Sequence, residues 1–443
     1  AKEQVEFTER ATAGALRFVS AFPGHPAAPN LLARTGTQLL EQEQYVRTLE
    51  ASAHALAASN SASPALLQVV WSLRAQVLFA KDDYPAATTA YREALKLAGE
   101  EDARRLALRE GLAMATYQNA GQALTAGDTD GAVVLYQQAA ALAPDAALRS
   151  KASYDGASAL LTQESWADAI YWLEQFRANY PDDPLQPEVT RKLAHAYDRN
   201  GDAANAATEY LRLGQDQRQA DILQREALLR AAELSVQTGD VQQAIIASEH
   251  YLERFPEPVE TAVAVMQQLA EMASGNGDAQ RMQTWLEAII ALDRRAGNSR
   301  TRERAAEAAL ELAEQRLAAF QQVQLVNPVQ DKLAQKIKAM KRALQAFKAA
   351  IDYGIFAVST AATYHIASMY DELGRALLSS ERPASLSPQE RAEYDVLLVE
   401  QAAPFEQQAI DLYTSNTQRP GGNGRDPWIE KSAQQLNELR AGR

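Results

Sequence analysis

Residues 152–213 read ASYDGASALLTQESWADAIYWLEQFRANYPDDPLQPEVTRKLAHAYDRNGDAANAATEYLRL. One grammar occurs twice in this stretch. A small residue lies in a first helix (Ala157, then Ala194), and a tight turn follows (Glu164-Ser165, then Gly201-Asp202). A second small residue then opens the next helix (Ala169, then Ala206). The copies stand 37 residues apart, from 157 to 194 and from 169 to 206, and Pro181 closes the first. A fixed period of this size predicts a solenoid of helical hairpins.

The grammar extends in both directions. Turns fall at Glu43-Gln44, Asp82-Asp83, Gly127-Asp128, Glu164-Ser165, Gly201-Asp202, Gly239-Asp240 and Gly277-Asp278. The first-helix small positions are then Gly36, Ala75, Ala120, Ala157, Ala194, Ala232 and Ala270. Twelve residues later come Thr48, Ala87, Ala132, Ala169, Ala206, Ala244 and Met282. Two helices approach closely only where a small side chain meets the partner backbone. The glycine of Gly-Asp suits a left-handed helix end, and its Asp suits the N-cap of the next helix. Trp71, Tyr91, Tyr136, Trp166, Leu173, Phe176, Tyr210 and Tyr251 are expected to fill the spaces between.

At these residues the chain resembles the tetratricopeptide repeat (TPR) family, clearly over 8–293 and more loosely over 355–415. The resemblance implies an all-α, right-handed solenoid of helical hairpins with a concave inner face. It implies a protein partner rather than a reaction. The long inter-repeat loops YPDDPLQPE and FPEPVE resemble those of Gram-negative cell-envelope TPR proteins. Examples are the barrel-assembly lipoprotein and the periplasmic TolA-binding coordinator. The segment EYDVLLVEQAAPFEQQAIDLY resembles the C-terminal region of TPR proteins of TonB-type or gliding machinery. These likenesses imply a periplasmic or outer-membrane-associated location, with a cytoplasmic one as the alternative. Peripheral membrane association would then need a lipid anchor outside this sequence.

Three segments are expected. Residues 1–296 form the solenoid of about seven and a half repeats, starting with the back half of one: Ala11, Phe18 and Phe22-Pro23 match the phase of Ala169, Phe176 and Tyr180-Pro181. In residues 297–352 the period breaks. Ala306, Leu310, Ala313, Leu317 and Phe320 form one heptad-like stripe. Leu333, Ile337, Met340, Leu344, Phe347 and Ile351 form another, predicting a long antiparallel hairpin over 301–324 and 328–351. Residues 353–443 hold a further helical pair. Ser387-Pro388 starts a long helix with Pro404 inside, RPGGNGRDP is expected as a flexible loop, and Trp428 to Leu439 is a capping helix.

Composition narrows the function. The formal net charge is −13, which disfavours nucleic acid as a partner. There is no cysteine, so disulfides, thiolate zinc sites and thiol catalysis are excluded. No run of roughly 18 apolar residues exists to cross a bilayer. None of the five histidines sits in an HExxH. No phosphate loop or GxSxG elbow occurs, and no carboxylates are paired as acid and base. No enzyme, cofactor or metal is expected.

The candidate site is the inner face, one turn either side of each first-helix small residue. Those pairs are Ala33 and Thr37, Ser72 and Gln76, Tyr117 and Gly121, Tyr154 and Ser158, Arg191 and His195, Leu229 and Glu233, and Gln267 and Glu271. Tyr117, Tyr154, Arg191, His195, Leu229 and Gln267 suggest a mixed aromatic and polar groove for a protein segment, centred on repeats three to five. The tyrosines equally suit a role as packing between helices. A second candidate is a basic docking strip of Lys332, Lys336, Lys338, Lys341 and Arg342. The leading expectation is a non-catalytic interaction scaffold of an envelope complex. The alternative is a cytoplasmic structural or regulatory protein that oligomerises through the heptad hairpin.

Overall fold

The computed structural model describes residues 2–57, 60–383, 386–420 and 426–441, leaving aside the side chains of 2–6 and 8. Among them are twenty α-helices and no strand. The chain forms two compact bodies, residues 1–240 and 241–443. The body boundary at Asp240/Val241 is distinct from the change of sequence period near residue 297.

The first body holds α1 (Lys2–Ala21), α2 (Ala28–Glu41), α3 (Tyr45–Ala57), α4 (Pro64–Ala80), α5 (Tyr84–Leu97) and α6 (Arg105–Thr125). It continues with α7 (Thr129–Leu142), α8 (Ala146–Thr162), α9 (Trp166–Asn179), α10 (Gln186–Arg199), α11 (Ala203–Gln215) and α12 (Asp221–Thr238). Each helix packs on its neighbours in sequence, and α2, α4, α6 and α8 also touch as next-but-one neighbours. That is a stack of helical hairpins, with even-numbered helices as the first of each pair.

The seven turns share one conformation. Gly127, Gly201, Gly239 and Gly277 are left-handed, and so are Glu43, Asp82 and Glu164, with φ of 55°, 59° and 59°. The next residue donates its backbone N–H five residues back in every case: Gln44 to Leu39, Asp83 to Leu78, Asp128 to Ala123, Ser165 to Leu160, Asp202 to Tyr197, Asp240 to Ser235 and Asp278 to Ala273. This bond closes the last helical turn and satisfies a carbonyl that the helix end would leave orphaned. Asp83, Asp128, Asp202 and Asp278 also cap the following helix, accepting from the backbone N–H three residues on.

The small positions are buried as a set. Ala75, Ala120, Ala157 and Ala194 are 0% exposed, as are Ala87, Ala132, Ala169, Ala206 and Ala244. At Gly36 the approach leaves no room for a side chain: a Cβ there would come within 2.3 Å of Leu73 Cδ1. Around the crossings Leu173, Phe176, Leu193 and Tyr197 complete the core of repeats four and five.

The second body holds α13 (Val241–Arg254), α14 (Val259–Gly275), α15 (Ala279–Ala296), α16 (Ser299–Gln321), α17 (Val329–Ile351), α18 (Phe356–Leu378), α19 (Pro388–Thr417) and α20 (Pro427–Ala441). α16 and α17 form the long hairpin, 23 residues each. The α17 core stripe differs from the one expected. Lys336, Met340, Ala343, Phe347 and Ala350 are buried, while Leu333, Ile337, Leu344 and Ile351 are half-buried. The cause is that α17 packs on both α16 and α18, which widens its covered face. Most of the two heptad stripes therefore packs within the chain's own core, beside α18.

At the far end α19 starts as expected, with a Ser387–Glu390 capping box and Pro388 in the first turn, and it contains Pro404. The α20 helix packs Leu436 against Ala367, Ala409, Ile410 and Tyr413. The buried Asn416 amide joins three helices by donating to Thr360 O at 3.0 Å and Ser432 Oγ at 2.9 Å. The loop expected at 419–427 lies largely outside the described residues.

The shared turn makes a test. Gly201→Ala places a Cβ in the left-handed region and should cost about 1–2 kcal/mol. Glu164→Gly relieves that strain but frees the unfolded chain, so it should be neutral or gain up to about 1 kcal/mol. Chemical denaturation of both variants checks the pair.

Candidate functional site

The first-helix face of the first body falls into two parts. An open cleft of about 420 Å³ lies among α2, α4 and α6. Ala33, Thr37, Ser72 and Gln76, the inner positions of repeats one and two, all line it. Val69, Leu73 and Leu108 make its apolar wall, and Arg104 brings a positive charge to it. The Gly36–Leu73 approach holds α2 and α4 close beside it.

A polar network braces the cleft. The Gln68 side chain is buried, and its amide donates to Asp102 Oδ2 at 2.7 Å. Its carbonyl accepts from Arg104 Nη2 at 2.7 Å. The Arg104 backbone N–H and guanidinium both bond Asp102, at 2.9 and 3.2 Å. The Arg104 backbone N–H, then its side chain and Gln68, hold the Asp102 carboxyl down at about 2.

Beyond the cleft, repeats three to six carry a ladder of pairs between first helices. Tyr117 on α6 donates to Asp155 Oδ2 on α8 at 2.6 Å, and Lys151 Nζ stands 5.3 Å above the Tyr117 ring. One repeat on, Lys192 of α10 stands 5.3 Å above the Tyr154 ring. Asp155 and Lys192 hold equivalent places, each 38 residues after its tyrosine (117 to 155, 154 to 192). Burial, with the Glu188 carboxylate adding to it, pushes the Tyr154 hydroxyl up to about 12. Arg230 of α12 then grips Asp198 of α10 at 2.8 and 3.0 Å.

The expected site residues therefore have different environments. Tyr117 and Tyr154 are half-buried inter-helix braces, their rings 5.5 Å from Tyr136 and 6.1 Å from Phe176. Arg191 is exposed and paired with Glu188, whose carboxyl it holds below the usual range. His195 is exposed, its ring 5.5 Å from Trp166. Leu229 is half-buried. Gln267 belongs to the second body, where it donates to Glu271 at 3.1 Å in a shallow cleft shared with Arg300 and Arg304.

The basic strip needs one correction. Lys338, Lys341 and Arg342 are exposed and Lys332 is half-buried, but Lys336 is 2% exposed. Its Nζ donates to Phe320 O at 3.2 Å, Val323 O at 3.0 Å and Glu372 at 2.7 Å, and stands 4.1 Å above the Phe320 ring. Lys336 closes the end of α16 and ties α17 to α18. Gln68, Asp102, Arg104 and the Asp155/Lys192 position escaped the sequence reading. The 38-residue offset from each inner tyrosine is the signal that finds the last two.

Among the described residues no group of three or more His, Asp or Glu side chains is placed to hold a metal, and no helix is long and apolar enough to cross a membrane. No family model matches the chain, and no curated protein matches it. Among solved structures it is similar to the C-terminal part of a TPR repeat-containing protein from Cytophaga hutchinsonii (19% identity, 61% of this chain and 98% of that one, TM-score 0.27). It is similar to a tetratricopeptide repeat protein from Parabacteroides merdae (11%, 74% and 98%, TM-score 0.28). A third is the TPR2AB domain of yeast Sti1 in complex with pHSP90 (16%, 69% and 99%, TM-score 0.28). The repeat architecture rests on the chain's own turns and crossings.

The Asp102 network predicts a pH dependence. In the unfolded chain Asp102 protonates near its ordinary 3.8, and in the fold near 2. A lowered folded value stabilises fully above the unfolded one and is lost as pH falls through the folded one. Asp102→Asn should therefore flatten the fall in stability between pH 4 and pH 2, measured by urea unfolding at each pH.

Proposed function

We propose that the chain is a non-catalytic protein–protein interaction scaffold. A partner segment would sit in the cleft of α2, α4 and α6 and run along the first-helix ladder past Tyr154, Arg191 and His195. One observation carries this reading. The repeat positions that face away from the hairpin cores line an open cleft whose apolar wall is rimmed by hydroxyls, amides and one guanidinium. Such a wall accepts an apolar anchor side chain, and its rim supplies hydrogen bonds to a peptide backbone. The location we propose is the bacterial cell envelope, supported by the Pro-closed inter-repeat loops.

The test is capture of partners from an envelope fraction, followed by measurement of affinity. Ser72→Trp fills the cleft while leaving the crossing residues intact, and should weaken binding about tenfold or more, a loss of about 1.4 kcal/mol or more. The Tyr154→Ala/Arg191→Ala pair should weaken it by about 1–3 kcal/mol. Unchanged partners and affinities in both variants would remove this face as the binding site.

A further inference from the structure

The outer side of α17 carries a line in which apolar and cationic residues alternate: Ile337, Lys341, Leu344, Lys348 and Ile351, in steps of 4, 3, 4 and 3. Steps of this kind place side chains in one row along a helix. The row lies at the edge of the face that α17 buries. Lys336, Met340, Ala343, Phe347 and Ala350 are covered, Ile337, Leu344 and Ile351 are half-buried, and Lys341 and Lys348 are exposed. The core thus takes one flank of each aliphatic side chain and leaves the other in solvent. That edge has the form of half a coiled coil, with an apolar residue at every seventh position and a lysine at every seventh position beside it.

The charges beside the line are not neutralised within the fold. α17 contributes Lys336 to an ion pair with Glu372, inside the core. Among the described residues Lys341 and Lys348 make no ion pair, and neither do Lys338 and Arg342, which lie about a quarter turn further round the exposed surface. These four cations share about 15 Å of one helix. Like charges so close repel one another, and an occupant that supplies carboxylates relieves the repulsion as it binds. The formal net charge of −13 selects among occupants. An anionic bilayer or a second copy of this chain brings negative charge against the whole acidic molecule. A single acidic helix brings it to the strip, and charges more than about 10 Å away are screened at ordinary salt.

We propose that this edge of α17 seats an acidic amphipathic helix of a partner protein. The apolar stripe of that helix packs on Ile337, Leu344 and Ile351. Its carboxylates, spaced seven residues apart, pair with Lys341 and Lys348. The seat lies in the middle of the second body, on a helix that packs on both α16 and α18, and is independent of the first-helix face.

Fluorescence anisotropy of a labelled synthetic peptide with the full chain tests it. The probe is a three-heptad helix with Leu at a and d and Glu at e and g, and its counterpart has Lys in place of each Glu. The Glu peptide should bind saturably, and more weakly as salt rises, while the Lys peptide should not bind. Lys341→Glu/Lys348→Glu should weaken the Glu peptide about tenfold or more and should now bind the Lys peptide, an exchange that a misfolded variant would not show. Lys338→Glu/Arg342→Glu, off the apolar line, should weaken the Glu peptide no more than about threefold. Absence of saturable binding by the Glu peptide overturns the proposal. Equal losses in the two pairs of substitutions also overturn it, because they mark diffuse attraction without a seat. Wild-type self-association in sedimentation that Lys341→Glu/Lys348→Glu abolishes would assign the edge to a second copy, and binding to phosphatidylglycerol vesicles abolished by the same pair would assign it to a bilayer; either result overturns the partner helix.

Discussion

The fold depends on the close crossing of two helices at a pair of small side chains. Burial of a Leu or Phe gains free energy almost anywhere in a core, but only Gly, Ala or Thr lets one helix axis approach another closely enough for those large residues to interlock. The chain meets this condition repeatedly, at Ala75 and Ala87, Ala120 and Ala132, Ala157 and Ala169, and Ala194 and Ala206, all without measurable exposure. The turn between partners must then reverse the chain in a fixed geometry. A single left-handed residue followed by one backbone hydrogen bond does so at all seven sites. Glycine is the low-strain residue there, but Glu43, Asp82 and Glu164 adopt the same φ, because the packing of the flanking helices over-determines the turn.

Once the crossings are fixed, the residues one turn away from them must project from the same face in every repeat. This produces the first-helix ladder. Tyr117, Asp155 and Lys151, then Tyr154 and Lys192, then Asp198 and Arg230, are side chains that the repeat brings beside their counterparts in the next hairpin. Where both partners are long and polar they tie successive hairpins together. In repeats one and two the position of the tyrosines holds Ala33 and Ser72, too short to span the gap, and a cleft remains. Brace and cleft are thus two outcomes of one geometry, decided by side-chain length.

The same reasoning separates what could be read from the sequence and what could not. The hairpins were legible because turn and crossing are local and recur: Glu164-Ser165 fell into register with Gly201-Asp202 before any contact was known. The two-sided burial of α17 was not legible, because periodicity shows a stripe but not how many neighbours cover it. Lys336 illustrates this. It lies in phase with Met340, Ala343 and Phe347, yet its charge suggested a surface strip, and only the carbonyls of Phe320 and Val323 and the Glu372 carboxylate explain its burial. The tyrosines of the inner face were found as positions, while their partners were missed, since a brace across 38 residues leaves a mark only when two equivalent offsets are compared.

The crossing can be tested by enlarging it. Ala132→Leu, Ala169→Leu and Ala206→Leu each force a branched side chain into a site with no exposure, whereas Ala11→Leu makes the same change at the equivalent but exposed position of α1. Equilibrium urea unfolding, in dilute solution, of the four variants gives the most direct reading. Losses of about 1–3 kcal/mol at the three buried sites, with a change within about 0.5 kcal/mol at Ala11, are expected. Tolerance of leucine at Ala132, Ala169 and Ala206, or an equal loss at Ala11, would contradict the view that small-residue crossings set the packing of this chain.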